Sequence, residues 1–138
     1  MKKLSLSLSS FAIIILFTFS FACSSEKNIA KGKAIITDGD TITINGERIR
    51  FGGIDTPERG EIGHKFSKQK LKEKIGNNVV ICIREKNKDF WKRTVAECFV
   101  NDENLSSFMV KNGYACDYVK YSKKKYAKEQ EYAKSKKL

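Results

Sequence analysis

Two alternating stretches face each other across a two-residue turn. Over residues 41–44, Ile42 and Ile44 alternate with Thr41 and Thr43; Asn45-Gly46 follows; over residues 47–51, Ile49 and Phe51 alternate with Arg48 and Arg50. A period of two sends successive side chains to opposite faces of a strand, and Asn-Gly accepts the left-handed backbone that joins antiparallel strands, so the pattern predicts a β-hairpin with Arg50 on its polar side. Upstream, residues 33–37 read as a strand that enters the polar turn Asp38-Gly39-Asp40. Downstream, Gly52-Gly53 marks a bulge or a close backbone approach, and Pro57 ends extended pairing.

The period then changes. Ile62, Phe66, Leu71 and Ile75, with lysines between them, predict one amphipathic helix over residues 62–75, closed by Gly76. Residues 79–83 and 94–100 are strand-like and flank a loop around Phe90. Asn104 is an N-cap for a helix over residues 105–112, which Gly113 terminates. A last helix after Ser122 turns Tyr126, Ala127, Gln130 and Ala133 inward and leaves its lysines in solvent. Four or five short strands, with helices inserted after the third strand and at the end, make an α+β domain, mainly β.

The first residues have another character. Met1-Lys2-Lys3, the apolar residues 11–19 and the sequence Ser20-Phe21-Ala22-Cys23 form a signal peptide over residues 1–22. Cys23 stands where a bacterial lipoprotein carries its lipid-modified first residue; simple secretion, or an N-terminal segment retained as an anchor, is the other reading. Residues 23–30 read as a polar tether and residues 31–138 as a single domain, taken to be monomeric. Of the net charge of +11, the part after the signal keeps +9, since Lys2 and Lys3 are the only charged residues before Cys23. Such an excess attracts polyanions, although it also serves solubility.

Cys82 and Cys98 each lie eight positions from Phe90. A hairpin centred there brings them opposite each other and permits a disulfide in an exported chain, whereas a one-residue slip leaves two buried thiols. Cys116 has no evident partner and reads as a packed thiol. Zinc is disfavoured: there is no Cys-x-x-Cys pair, and His64 is the only histidine, which also removes a histidine-centred hydrolytic mechanism.

The candidate chemistry gathers in Asp38-Gly39-Asp40, Arg50 and the run Asp55-Thr56-Pro57-Glu58, with Arg93 further on. Carboxylates are ligands of hard cations, and a guanidinium is a partner for phosphate oxygen. Each feature has a plainer use: Asp38 and Asp40 in an Asx turn, Glu58 beside the dipole of the following helix, arginines as surface solubilisers. Taken together, these residues resemble the staphylococcal-type thermonuclease family over about the whole chain after residue 30. The resemblance implies a five-stranded oligonucleotide/oligosaccharide-binding (OB-fold) barrel with about three packed helices. It implies Ca²⁺ held by Asp40, Asp55 and the Thr56 carbonyl, Glu58 as general base, and Arg50 and Arg93 on the phosphate. DNA and RNA are the implied substrates, cut with little sequence preference so that the phosphate stays on the 3′ side.

Asp89-Phe90-Trp91-Lys92-Arg93 resembles the family's Asp-x-Tyr-Gly-Arg, with Trp91 for tyrosine and Lys92 for glycine. An indole can still stack on a base, but a lysine at a left-handed position costs on the order of 1 kcal/mol. Tyr118 and Tyr121 fall in the region where the family lines its nucleotide cleft with aromatic residues, only Tyr121 aligning with one of them by counting from Gly113, and both are equally readable as core or rim residues. The closing helix, from Glu131, ends where many relatives continue. The rival functions are a catalytically silent barrel that binds nucleic acid, possible in family copies that lose a carboxylate or arginine, and a lipoprotein with a structural or adhesive surface role. All five charged positions are retained in this chain, which favours catalysis.

Overall fold

The computed structural model describes residues 28–138; the apolar segment, Cys23 and the tether up to Lys27 lie outside the described residues. In chain order the elements are β1 (Ile29–Gly32), β2 (Ala34–Asp38), β3 (Thr41–Ile44), β4 (Glu47–Phe51), β5 (Ile54–Asp55), α1 (His64–Ile75), β6 (Val80–Arg84) and β7 (Thr94–Val100). They are followed by β8 (Glu103–Asn104), α2 (Leu105–Lys111), β9 (Cys116–Asp117), α3 (Val119–Ser122) and α4 (Ala127–Ser135).

The first hairpin has the expected register, with Ile42 opposite Ile49 and Ile44 opposite Glu47. Asn45 (φ 50°) and Gly46 (φ 82°) both take the left-handed conformation that the two-residue turn needs. Ile42, Ile44, Ile49 and Phe51 are buried and form the centre of the core with Leu71, Ile75, Val80 and Met109. At roughly 2 kcal/mol for each buried large apolar side chain, this cluster is the main force holding the two halves of the chain together.

The principal sheet has the order β1-β6-β7-β4-β3-β2, with β8 paired on β7; β5 and β9 form a separate two-stranded ribbon. All pairs are antiparallel except β4–β7, which is parallel and sets Ile49 against Thr94 and Arg50 against Val95. The α+β composition, mainly sheet, is the expected one. Seven strands replace the expected five because the segment 29–38 is interrupted at Lys33 and Glu103–Asn104 adds a short strand. The two ends of the sheet, β1 and β2, are thus neighbours in the chain, β1 pairing with β6 and β2 with β3.

Four helices are present among the described residues instead of about three. Lys123 and Lys124 both have positive φ (55° and 66°), which ends α3 after one turn and starts a separate α4. Tyr126 and Ala133 are buried as expected. Helix α1 starts at His64 and buries His64, Ser67, Leu71 and Ile75, while Ile62 lies outside the helix in solvent and Phe66 is exposed, edge-on to Tyr114 at 5.5 Å. The reason is the contact with the β2–β3 turn: a Cβ on Gly39 would lie 2.2 Å from Ser67 Oγ, so α1 presents a small residue to that turn and Gly39 has no room for a side chain.

Cys82 and Cys98 are directly opposed in the β6–β7 register and joined by a disulfide. Cys116 is exposed, which corrects the packed-thiol expectation: Ala115, just before β9, is buried, and alternation turns Cys116 outward.

Candidate active site

Asp40 sits at the end of the β2–β3 turn and is almost fully buried. Burial of a carboxylate requires compensation, and both oxygens receive it: Thr41 Oγ1 donates to Oδ1 (2.8 Å), and Arg50 Nη1 donates to Oδ2 (2.5 Å). Arg50 reaches Asp40 because it lies opposite Thr41 in the hairpin register, on the outward face of β4. Its Nη2 donates to the Ile54 carbonyl (3.2 Å) and to Asp55 Oδ1 (3.5 Å). One guanidinium therefore bridges two carboxylates that would otherwise repel each other and leaves the cluster with one excess negative charge. Arg50 is largely buried in this arrangement, whereas the Asp55 side chain is 55% exposed and open to a ligand.

Thr56 is buried, and its Cγ2 packs against Gly39. That contact brings the residue after Asp55 onto the turn that carries Asp40, so Asp40, Asp55 and Thr56 are drawn together. Among the described residues no three His, Cys, Asp or Glu side chains converge as a metal cage. What the site offers is two carboxylates and nearby backbone carbonyls, oxygen donors without imidazole or thiolate, and this donor type fits a hard cation such as Ca²⁺ with solvent or substrate completing its shell.

Glu58 is exposed. Its backbone N–H donates to Glu61 Oε2 (2.7 Å), and Glu61 N–H returns a bond to the Glu58 carbonyl (2.9 Å), which fixes the loop while leaving the Glu58 carboxylate with no partner among the described residues. A role at the start of α1 is excluded, because the helix begins at His64 and carries no acidic residue in its first turn. A residue to which sequence reasoning assigned no role holds this loop, His64, whose Nδ1 is 3.0 Å from the Pro57 carbonyl; Ser67 Oγ instead ties α1 to the segment after α2 by donating to the Tyr114 carbonyl (2.8 Å). A lone histidine at a helix start carries no signal by which this role could have been found.

Arg93 precedes β7, and the alternation of that strand puts it on the same outward face as Val95, the parallel-register partner of Arg50. Asp89 grips it twice, accepting from the Arg93 backbone N–H (2.8 Å) and from Nε (2.6 Å). Burial would raise the Asp89 pKa, but these two bonds outweigh it and hold the carboxyl below its ordinary range. Lys92 has φ 59°, the left-handed conformation natural to glycine.

Tyr118 donates its backbone N–H to the Gly53 carbonyl (2.9 Å), and β9 pairs Asp117 with Ile54. Both bonds place the exposed, edge-to-face rings of Tyr118 and Tyr121 (4.9 Å) beside the Asp55 segment. Trp91 is exposed and stacks edge-on with Phe90 (5.1 Å) on the loop before β7; among the described residues no contact ties its ring to Asp40, Asp55 or Glu58. The concavity near the tyrosines, lined by Gly52, Gly53, Tyr121 and Tyr126, has a volume of about 70 Å³, too small to enclose a nucleotide. A larger one of about 630 Å³, between Ile29, Ile44, Glu47 and Arg84, contains none of these groups. The site is thus an open surface, suited to a polymer more than to a small molecule.

A further group unread in the sequence lies between β4, β6 and β7. Arg84 forks onto Glu47 (Nη2 to Oε2 2.6 Å, Nε to Oε1 2.9 Å), and the Thr94 hydroxyl donates to Glu47 Oε1 (2.8 Å). The Arg84 bonds hold the Glu47 carboxyl below its ordinary pKa; burial opposes them and the Thr94 bond adds to them.

Comparison with known proteins places this geometry. Residues 48–138 match the family model described as staphylococcal nuclease homologue, a stretch that includes Arg50, Asp55, Thr56, Glu58 and Arg93, while Asp40 precedes it. A Haemophilus influenzae protein named "Uncharacterized endonuclease" is 34% identical over 116 residues, covering 80% of this chain; the chain spans 64% of that relative's length. By the family model, which covers well over half of its residues, the chain belongs to the staphylococcal nuclease homologue family.

Proposed function

We propose that this chain is an exported, Ca²⁺-dependent nuclease that hydrolyses phosphodiester bonds of DNA and RNA with little sequence preference. The observation that carries the reading is the Asp40–Arg50–Asp55 cluster, followed three residues later by Glu58, a carboxylate with no partner among the described residues. The segment 29–38, pairing with β6 through its first half and with β3 through its second, is read as the shared strand that closes an OB-fold barrel of five strands.

Asp40, Asp55 and the Thr56 carbonyl would hold Ca²⁺, which when bound supplies positive charge to a phosphate oxygen. Glu58 takes the proton of the attacking water at its carboxylate as the new bond to phosphorus forms and the 5′ oxygen leaves. Arg50 and Arg93, on one outward face, offer guanidinium forks to the five-coordinate phosphate, where added negative charge makes them most effective. Trp91, Tyr118 and Tyr121 present π-faces on which bases of any identity stack, in keeping with weak sequence preference. Export by the N-terminal segment and lipid attachment at Cys23 belong to the same proposal, with the membrane as a second partner and the domain acting as a monomer.

The test is DNA cleavage and DNA affinity measured in parallel with Ca²⁺ and with a Ca²⁺ chelator. Cleavage is expected to stop in the chelator while binding persists, since lysines supply encounter without the cation. Undiminished cleavage in the chelator removes the metal from the mechanism; binding without cleavage under both conditions makes the chain a silent nucleic-acid-binding domain.

A further inference from the structure

Four apolar side chains share the outward face of three neighbouring strands. Ile29 is opposite Ile83 in the β1–β6 register, and Ile81 is opposite Phe99 in the β6–β7 register. The alternate positions Ala30, Cys82 and Cys98 are buried, so these four point away from the core. Ile29, Ile81 and Ile83 are 41%, 38% and 49% exposed, and Phe99 is half-buried. Directly opposed residues on paired strands lie about 5 Å apart, so the four form one patch and not scattered exceptions. The outward face carries charge at Arg48 and Arg50 on β4, and Glu97 on β7, directly opposite Ile83, bounds the patch with its carboxylate held by Lys125 (2.8 Å) and Asn104 (2.6 Å).

The chain itself says what meets this patch. Ile29 is the first strand residue of the domain, and the six steps from Cys23 to Ile29 reach at most about 20 Å when extended. On the proposed reading that Cys23 is lipid-anchored, on which this inference rests, the bilayer lies within that distance of the patch. Lys31 stands opposite Ile81 and Lys33 follows it in the same stretch, so the β1 edge of the apolar patch is basic and fits anionic phospholipid headgroups. We propose that the outward face of β1, β6 and β7 docks on an anionic bilayer. Arg50, on β4, is separated from β1 in the sheet path by β6 and β7, and Arg93 precedes the end of β7 opposite to Phe99, so the candidate active site lies beside the patch and not within it.

The test uses the full chain matured in a bacterial host and reconstituted in phosphatidylglycerol-containing vesicles whose acyl chains carry bromine, a contact quencher of tryptophan. Trp91 is the only tryptophan and reports the site side; Ile81→Trp and Ile83→Trp, each combined with Trp91→Phe, report the patch. Shallow insertion of the patch predicts a loss of about half the emission or more from both patch reporters, with little change at Trp91. A chain that fails to float with the vesicles refutes the anchor and the docking with it. A chain that floats with both patch reporters unquenched, or with Trp91 quenched equally, refutes the docking alone. Unquenched patch reporters in a chain of dimer mass assign the face to a second copy and likewise overturn the proposal.

Discussion

Lys92→Gly should stabilise the protein without changing its chemistry. Lys92 sits at φ 59° in an exposed turn, donating its backbone N–H to the Asp89 carbonyl (2.9 Å), and its side chain has no partner among the described residues. A side chain in the left-handed region costs roughly 1–2 kcal/mol, and glycine removes that cost while keeping the N–H. Against this, glycine enlarges the conformational freedom of the unfolded chain, a loss of about 0.5–1 kcal/mol. The difference favours glycine by about 0–1.5 kcal/mol, centred on ~0.75 kcal/mol, which corresponds to a rise of roughly 3–6 °C in the thermal midpoint for a domain of this size. Thermal unfolding followed by circular dichroism measures it, alongside the rate of DNA cleavage. Since Asp89 already holds Arg93 at 2.6 Å, the cleavage rate should stay the same. An unchanged or lower midpoint would refute the strain argument, and a faster cleavage rate would mean that Lys92 displaces Arg93 in solution.

Three further outcomes are expected. Glu58→Gln should lower turnover by a factor on the order of 10² or more with DNA affinity nearly kept, and Arg93→Ala should cost a similar or larger factor; a small loss in either, read from initial cleavage rates, removes that residue from the chemistry. Reduction of the Cys82–Cys98 bond, which spans 16 residues, should remove about 3 kcal/mol of stability, measurable by denaturant titration with and without reductant. Glu47 titrates below its ordinary value in the folded chain, so its contribution is complete above an unfolded pKa near 4.5 and is lost as pH falls through the lower folded value; Glu47→Gln should be less stable than the parent at neutral pH, with the gap narrowing on acidification below about 4.5.

The parts of the fold that were legible in the sequence are those with a local cause. The β3–β4 hairpin follows from strict alternation around Asn45-Gly46, and the α2 cap from Asn104, whose side chain accepts from the Ser107 N–H. The face of α1 was misread where a tertiary contact overrode periodicity: Ser67 turns inward because Gly39 approaches it, and Phe66 gives way. Cys116 was misplaced for a similar reason, since its exposure depends on a ribbon with Asp55 whose partner is 61 positions away in the chain. In the candidate site, the residue types pointed to phosphate and cation chemistry, and family resemblance assigned their roles. The guanidinium between Asp40 and Asp55 needed coordinates, as did the Glu47–Arg84–Thr94 group, because no spacing rule links positions on three separate strands.

That last group bears on when the molecule becomes competent. Its members are 37 and 47 residues apart in the chain, and they belong to two hairpins that meet through the parallel β4–β7 pair. Hairpins close within microseconds on local contacts, whereas docking one on the other requires a long loop to close first. Arg50 comes from the first hairpin and Arg93 from the second, so neither alone presents both guanidinium groups. During refolding, hydrolytic competence should therefore emerge with the slow docking phase, after most of the secondary structure is in place. A polypeptide threaded in extended form through a translocation channel has no such juncture, and on the export reading it would pass its own cytoplasm as an inert thread.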